Sequence, residues 1–131
     1  MLHVFIWGDV AGIRDGDVTK QENVIGAPVR DKIALMFDDM ISTASSICGA
    51  AAAIHKAGAR EIFVGATHGL LVGPAIERLQ AAPISCVAIT DTIPLRPQQL
   101  LPKVKVLSVA ALLGQAIKRI HRNESVSGLF V

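Results

Sequence analysis

Between Ile33 and Ala53 the chain changes character three times, and that order of residue types restricts its possible folds more than any other stretch. The apolar run Ile33-Ala34-Leu35-Met36-Phe37 meets two adjacent carboxylates, Asp38 and Asp39. After Met40 and Ile41 come Ser42-Thr43-Ala44-Ser45-Ser46, then the alanines of 50–53. A short unbroken apolar run is the mark of a strand buried on both faces of a parallel sheet, and alanine is the best helix former. The stretch predicts a strand over 33–37, a polar loop, and a helix over about 46–56 stopped by Gly58. In open α/β sheets, ligands bind outside the carboxyl end of a strand. Unpaired N–H groups at a helix start, helped by hydroxyls, suit a phosphate. Carboxylates are hard, acceptor-only ligands, so Asp38 and Asp39 suit sugar hydroxyls or a divalent cation. On these residues alone a second reading is equally open, in which the aspartates cap the loop and the serines cap the helix.

The rest of the chain repeats the alternation. Residues 1–7 read as a first strand, and 8–32 as a long Gly- and Asp-containing loop with a short strand near 23–25. Strands follow over 61–65, 85–89 and 104–107. Gly73-Pro74 opens a helix running to about 81, with proline at a tolerated first-turn position. The proline-rich segment 94–102 reads as a surface connection. An amphipathic helix over 109–121 carries Leu112, Leu113, Ala116, Ile117 and Ile120 on one stripe. This order predicts an α/β fold, a mainly parallel sheet with helices on both faces, in a single domain over 1–131.

Several function classes are excluded at this level. No apolar run approaches the roughly 18 residues of a membrane span, so no membrane partner is expected. The first residues lack a basic region and a small-residue cleavage site, which speaks against a leader. A net charge of +2 is too small to imply a nucleic-acid partner. The basic residues near the end (Lys103, Lys105, Lys118, Arg119, His121 and Arg122) read as a solvated helix face. Cys48 and Cys86 have no CxxC spacing and read as buried reduced thiols of a cytoplasmic protein. His3, His55 and His121 are scattered and form no metal set, and His68 reads either as a loop hydrogen-bonder or as a substrate contact. There is no G-x-x-x-x-G-K-S/T, no G-x-S-x-G, and Gly8-Asp9-Val10-Ala11-Gly12 lacks the third glycine of a dinucleotide fingerprint.

The segment Asp38-Asp39-Met40-Ile41-Ser42-Thr43-Ala44-Ser45-Ser46 resembles the ribose-phosphate loop of the type I phosphoribosyltransferase fold. It is most similar to that of the ribose-phosphate diphosphokinase (PRPP synthetase) family. The likeness continues through Gly58-Ala59, Ala66-Thr67-His68, Gly73-Pro74-Ala75, Thr90-Asp91-Thr92-Ile93-Pro94 and Glu124-Ser125-Val126-Ser127, in family order from about Asn23 onward. The resemblance implies transfer of diphosphate from Mg2+-ATP to C1 of ribose 5-phosphate, giving PRPP for nucleotide synthesis. Asp38 and Asp39 would then hold the ribose 2- and 3-hydroxyls. Thr43, Ala44 and Ser46 would wrap the 5-phosphate through hydroxyls and backbone N–H groups, with Ser42 and Ser45 in the same ribose 5-phosphate-binding loop. Thr90-Asp91-Thr92 would line the same cleft. Ser125, Val126 and Ser127 would form part of an allosteric phosphate or ADP site between subunits.

The chain also departs from the family pattern. Ser42 stands where the family carries a third Asp, and Ser45 where it carries a Gly able to take positive φ. Of the family's Lys-Arg-Arg catalytic arm only Arg14 remains, and Asp9 mimics the upstream Asp-x-Gly-Gly metal motif at the wrong distance. The family's N-terminal half, which supplies most of the ATP pocket, is not in these 131 residues. The expectation is the C-terminal, ribose 5-phosphate-binding half of such an enzyme, binding its sugar weakly and inactive as an isolated chain. A non-catalytic partner or regulatory subunit of a full-length family enzyme, a homo-oligomer, and a truncated remnant remain open.

Overall fold

The computed structural model describes residues 3–7 and 13–14 as backbone and 29–130 in full. Among the described residues six strands form one sheet in the order β2-β1-β3-β4-β5-β6, where β1 is His3–Trp7, β2 Ile13–Arg14, β3 Ile33–Ile41, β4 Glu61–Gly69, β5 Cys86–Thr90 and β6 Val104–Leu107. The strands β3 to β6 are parallel, and β1 joins β3 and β2 antiparallel at one side. The expected strand near 23–25 lies outside the described residues.

Two strands run longer than the apolar pattern predicts. β3 continues through Asp38, Asp39, Met40 and Ile41, and β4 through Ala66 to Gly69. The two extensions hold each other, with Asp38 opposite Ala66, Met40 opposite His68 and Ile41 opposite Gly69. The carboxylates therefore sit on the strand's last turn of the ladder, and His68 lies within a strand, not beyond one. Hydropathy alone ends each strand where polar side chains begin, whereas ladder bonds use only backbone.

One face of the sheet carries the core. Ala34, Met36, Ile62, Val64, Val87 and Ile89 are buried there, alternating along their strands as a pleated sheet demands. Helix α1, Ser45–Lys56, lays Ile47, Ala50, Ala51 and Ile54 on this face, the i, i+3, i+4, i+7 stripe of an amphipathic helix. It ends as expected at Gly58 (φ +95°), where Gly58 N–H bonds His55 O and Ala59 N–H bonds Ile54 O. That is the Schellman arrangement, which needs a left-handed residue after the cap. Helix α2, Ala75–Ala81, adds Ala75 and Leu79. Lys103, expected on a solvated face, instead donates from Nζ to Leu79 O, Gln80 O and Ala82 O, closing the carboxyl end of α2.

Helix α3, Ala110–His121, follows β6. Asp91, at the end of β5, accepts a 2.8 Å hydrogen bond from Val109 N–H at its start. The stripe expected to pack inward is not buried: Leu112, Leu113, Ile117 and Ile120 are 42–67% exposed. Arg119 donates to Ser125 O at 2.9 Å and so fastens the turn that follows the helix.

Candidate functional site

The carboxyl end of β3 passes into α1 through a tight loop, and its conformation comes from what holds its carbonyls. Ile41 O accepts the N–H groups of Leu70 (3.0 Å) and Leu71 (3.1 Å), and Ser42 O accepts Val72 N–H at 3.0 Å. Thr43 O accepts Nη1 of Arg78, on α2, at 2.9 Å. Ala44 O accepts Cys48 N–H, the first bond of α1. Four successive carbonyls are thus turned into the protein. The N–H groups of Ser42 through Ile47 have no acceptor among the described residues.

The turn that permits this is at Ala44, whose φ of 59° is left-handed. The resemblance implies a conformational demand at Ser45, but Ser45 is the first residue of α1 and takes no positive φ. Ala44 is the N-cap and α1 has no side-chain cap, so the serines do not cap the helix. That removes the capping reading for them. Left-handed backbone followed by helix makes a concave row of N–H groups, an anion-binding arrangement reinforced by the helix's positive end.

An open cleft of about 120 Å3 lies against this loop, lined by Asp38 and by residues 40–47. Asp38 faces it, while Asp39, next on the strand, is not part of its wall, as strand alternation requires. Asp38 Oδ1 accepts Asp39 N–H at 2.9 Å. A hydrogen bond with the Asp38 side chain holds the Asp39 carboxyl below its ordinary range, so it is an anion at neutral pH. Ser42, Thr43, Ser45 and Ser46 are exposed around the cleft mouth and Ala44 is buried beneath it.

On the neighbouring strand, Thr67 O accepts Thr90 Oγ1 (2.6 Å) and Thr92 Oγ1 (3.1 Å), and His68 Nδ1 meets Thr92 Oγ1 at 2.8 Å. His68 is the register partner of Met40, which lines the cleft. The segment expected to flank the site is therefore tied to the strand beside it.

The other expected residues lie elsewhere. Arg14 belongs to β2, two strands from β3, and its side chain is outside the described residues. Ser125, Val126 and Ser127 form an exposed turn after α3, closed by Ser127 N–H on Ser125 Oγ at 3.2 Å. Among the described residues no group of three or more His, Cys, Asp or Glu could hold a metal. Of the expected pair, Asp38 stands in the cleft wall, and a single carboxylate can hold Mg2+ when substrate phosphates and water complete its shell.

Two residues that matter here were not singled out from sequence. Arg78 is one of two charged residues on the outer side of α2, with no local signal for its reach to Thr43. Gln99 lies in the segment expected to be a surface connection, yet it is buried, in a short 3-10 turn over Pro97–Gln99. The flanking Leu95, Leu100 and Leu101 were the available hint.

Known proteins resemble this chain in sequence and in fold. Residues 18–131 match the family described as phosphoribosyl synthetase-associated domain. The chain is 60% identical over 111 residues to a ribose-phosphate pyrophosphokinase of Rhodopirellula baltica, covering 85% of this chain and 35% of the relative. A ribose-phosphate pyrophosphokinase of Caldanaerobacter subterraneus subsp. tengcongensis is 51% identical over 114 residues, 87% of this chain and 36% of its own. The crystal structure of phosphoribosylpyrophosphate synthetase from Mycobacterium smegmatis superposes with a TM-score of 0.75 at 33% identity, covering 80% of this chain and 35% of that one. The chain spans about a third of the length of the relatives it matches. It belongs to the ribose-phosphate pyrophosphokinase (PRPP synthetase) family, whose phosphoribosyl synthetase-associated domain it carries.

Proposed function

We propose that this chain binds ribose 5-phosphate, the phosphate in the 42–47 loop and the ribose hydroxyls on Asp38, the one of the two expected aspartates that stands in the cleft wall. The observation that carries the reading is the row of N–H groups from Ser42 to Ile47 beside the cleft, produced by four carbonyls bonded away from it. Such groups stabilise a dianion without a lysine or arginine in contact with it. The hydroxyls of Ser42, Thr43, Ser45 and Ser46 add donors at the mouth. Ser42, in place of a carboxylate, leaves the sugar end with fewer acceptors, and affinity is expected to be weak.

In the full reaction of the family, diphosphate passes from Mg2+-ATP to C1 of the bound sugar. Asp38 is the cleft carboxylate of this chain that could take Mg2+ together with the ribose hydroxyls, and Arg14 would steady the transferred group. Charge stabilisation is most of what a protein contributes to phosphoryl transfer. With one arm residue of three, catalysis by this chain alone is expected to be negligible. The cytoplasm, with its nucleotide pools and reduced thiols, is the compartment this function calls for.

Calorimetric titration tests the reading. Ribose 5-phosphate should bind and ribose should not, and Asp38→Asn should weaken binding, while Ser42→Asp should strengthen it. Equal heats for ribose and ribose 5-phosphate, or an unchanged affinity in both variants, would remove the cleft as a phosphosugar site.

A second reading is favoured by the exposed stripe of α3. The chain would act as a non-catalytic partner, associating with itself or with a full-length family enzyme, with Ser125, Val126 and Ser127 contributing half of an allosteric phosphate or ADP site. Added chain should then change the phosphate or ADP response of a complete family enzyme. An unaltered response sinks this second reading and leaves the first intact.

A further inference from the structure

We infer that Gln99 and Arg78 are positioning residues for the phosphate loop, holding its backbone from behind so that its N–H groups face the cleft. The inference rests on the proposed use of that loop, and it concerns residues that touch no ligand.

Gln99 is 4% exposed and uses its whole amide. Nε2 donates to Leu70 O at 3.1 Å and to Leu71 O at 3.0 Å, and Oε1 accepts Arg96 N–H at 2.8 Å and Arg96 Nε at 3.3 Å. Its two carbonyl partners belong to the turn whose N–H groups hold Ile41 O and Ser42 O. Leu71 in that turn is buried and has a φ of 48°. A bulky residue in the left-handed region is a backbone outlier that persists only where its surroundings impose it. Two such residues, Leu71 and Ala44, flank the same pair of carbonyls, and Gln99 bonds the first of them directly. A residue needed only to fill space would not require an amide matched at every atom.

Arg78 acts from the other side. Its guanidinium holds Thr43 O, the carbonyl immediately before the left-handed Ala44. Its charge reaches one turn into α1, where burial pushes the Cys48 thiol up and the Arg78 charge opposes that rise. The two supports act on consecutive stretches of one loop: Gln99 on 41–42 through the turn, Arg78 on 43 directly. Neither has an evident role in the core of α1 against the sheet.

The experiment uses Arg78→Met, Arg78→Lys and Gln99→Met, with two readouts for each folded variant. The first is the ligand-free amide resonances of Ser42 to Ile47. The second is ribose 5-phosphate affinity by calorimetry. Arg78→Met and Gln99→Met should shift or broaden those six resonances selectively and weaken binding about 10-fold, the scale of one charge-assisted or buried hydrogen bond. Arg78→Lys, which keeps the charge and one donor, should recover most of that loss. Variants that melt earlier yet keep wild-type loop resonances and affinity would assign both residues to stability alone and overturn the inference. If wild-type protein takes no ribose 5-phosphate, the reading of the cleft fails, while the ligand-free resonances still decide whether the loop is held from behind. Should Gln99→Met not fold, the exposed Arg78 variants decide it.

Discussion

Two glycines of β4 give the packing argument a quantitative test. A methyl group at Gly69 would land on Ile89 Cδ1, with Ile89 Cβ and Cγ1 both at 3.4 Å. Ile89 is 1% exposed and central to the core, so its terminal carbon has no vacant space to turn into. Overpacking of this kind costs about 1–3 kcal/mol, less a few tenths recovered because alanine restricts the unfolded chain. A methyl at Gly65 would lie 2.8 and 2.9 Å from the Phe37 ring. Both distances are shorter than real Cβ contacts, so the ring must shift, and Phe37, 46% exposed on the opposite face, can tilt outward. The expected cost of Gly65→Ala is under about 1 kcal/mol. Urea unfolding with an unchanged slope, together with thermal melts, measures both. Gly69→Ala should lower the midpoint by roughly 4–15 °C and Gly65→Ala by much less. If Gly65→Ala proves the more costly, or Gly69→Ala costs less than about 0.5 kcal/mol, the core face has been assigned to the wrong side of the sheet.

The Ser108 hydroxyl and then Val109 N–H hold the Asp91 carboxyl below its ordinary value of 3.8. The tie to α3 should therefore be complete above that value and be lost as pH falls through the lower folded-state one, seen as an acid transition in the Val109 amide that Asp91→Asn abolishes. Lys103→Met removes the donor to three carbonyls at the end of α2 and should cost about 1 kcal/mol in urea unfolding, since the site is only partly screened from water. An unchanged stability would mean that water replaces the ammonium there without loss. Light scattering at micromolar concentration should show a dimer or larger species.

What could be read from residue order was the sequence of elements and the polar loop that borders the cleft. The apolar run at 33–37, the short valine-rich strand at 104–107, the alanines of α1 and Gly58 each report a local preference that the fold obeys. Strand ends were less legible, because Asp38 and His68 join a ladder through backbone groups that their side chains do not reveal. The loop's hydroxyls were visible in the sequence, but what holds its backbone was not. The carbonyl ties come from Arg78, 35 residues from Thr43, and from Gln99, 28 residues from Leu71. No local pattern encodes partners at that separation. The left-handed residue also fell one place from where the family glycine pointed, since Ala44, not Ser45, makes the turn into α1.

Helix α3 shows the same limit from the other direction. Its periodic stripe states that one face calls for apolar cover, and periodicity carries no address for the cover. Leu112, Leu113, Ile117 and Ile120 have about half their surface in water. Burying the remainder is worth about 1 kcal/mol for each, near 4 kcal/mol together. Association costs at least that much in lost translational and rotational freedom, roughly 4–15 kcal/mol. The stripe alone therefore does not hold a dimer at micromolar concentration. The sheet's second face adds Phe37, 46% exposed, and the edge strand β6 adds Val106 and Leu107, 45% and 58% exposed. A self-associated species must then bury sheet and helix together, and the two sites should be energetically coupled. Ile117→Glu on the helix and Phe37→Ser on the sheet should each give monomers on their own. If only the helix substitution dissociates the species, the sheet face plays no part and the association rests on helix pairing stronger than these areas allow.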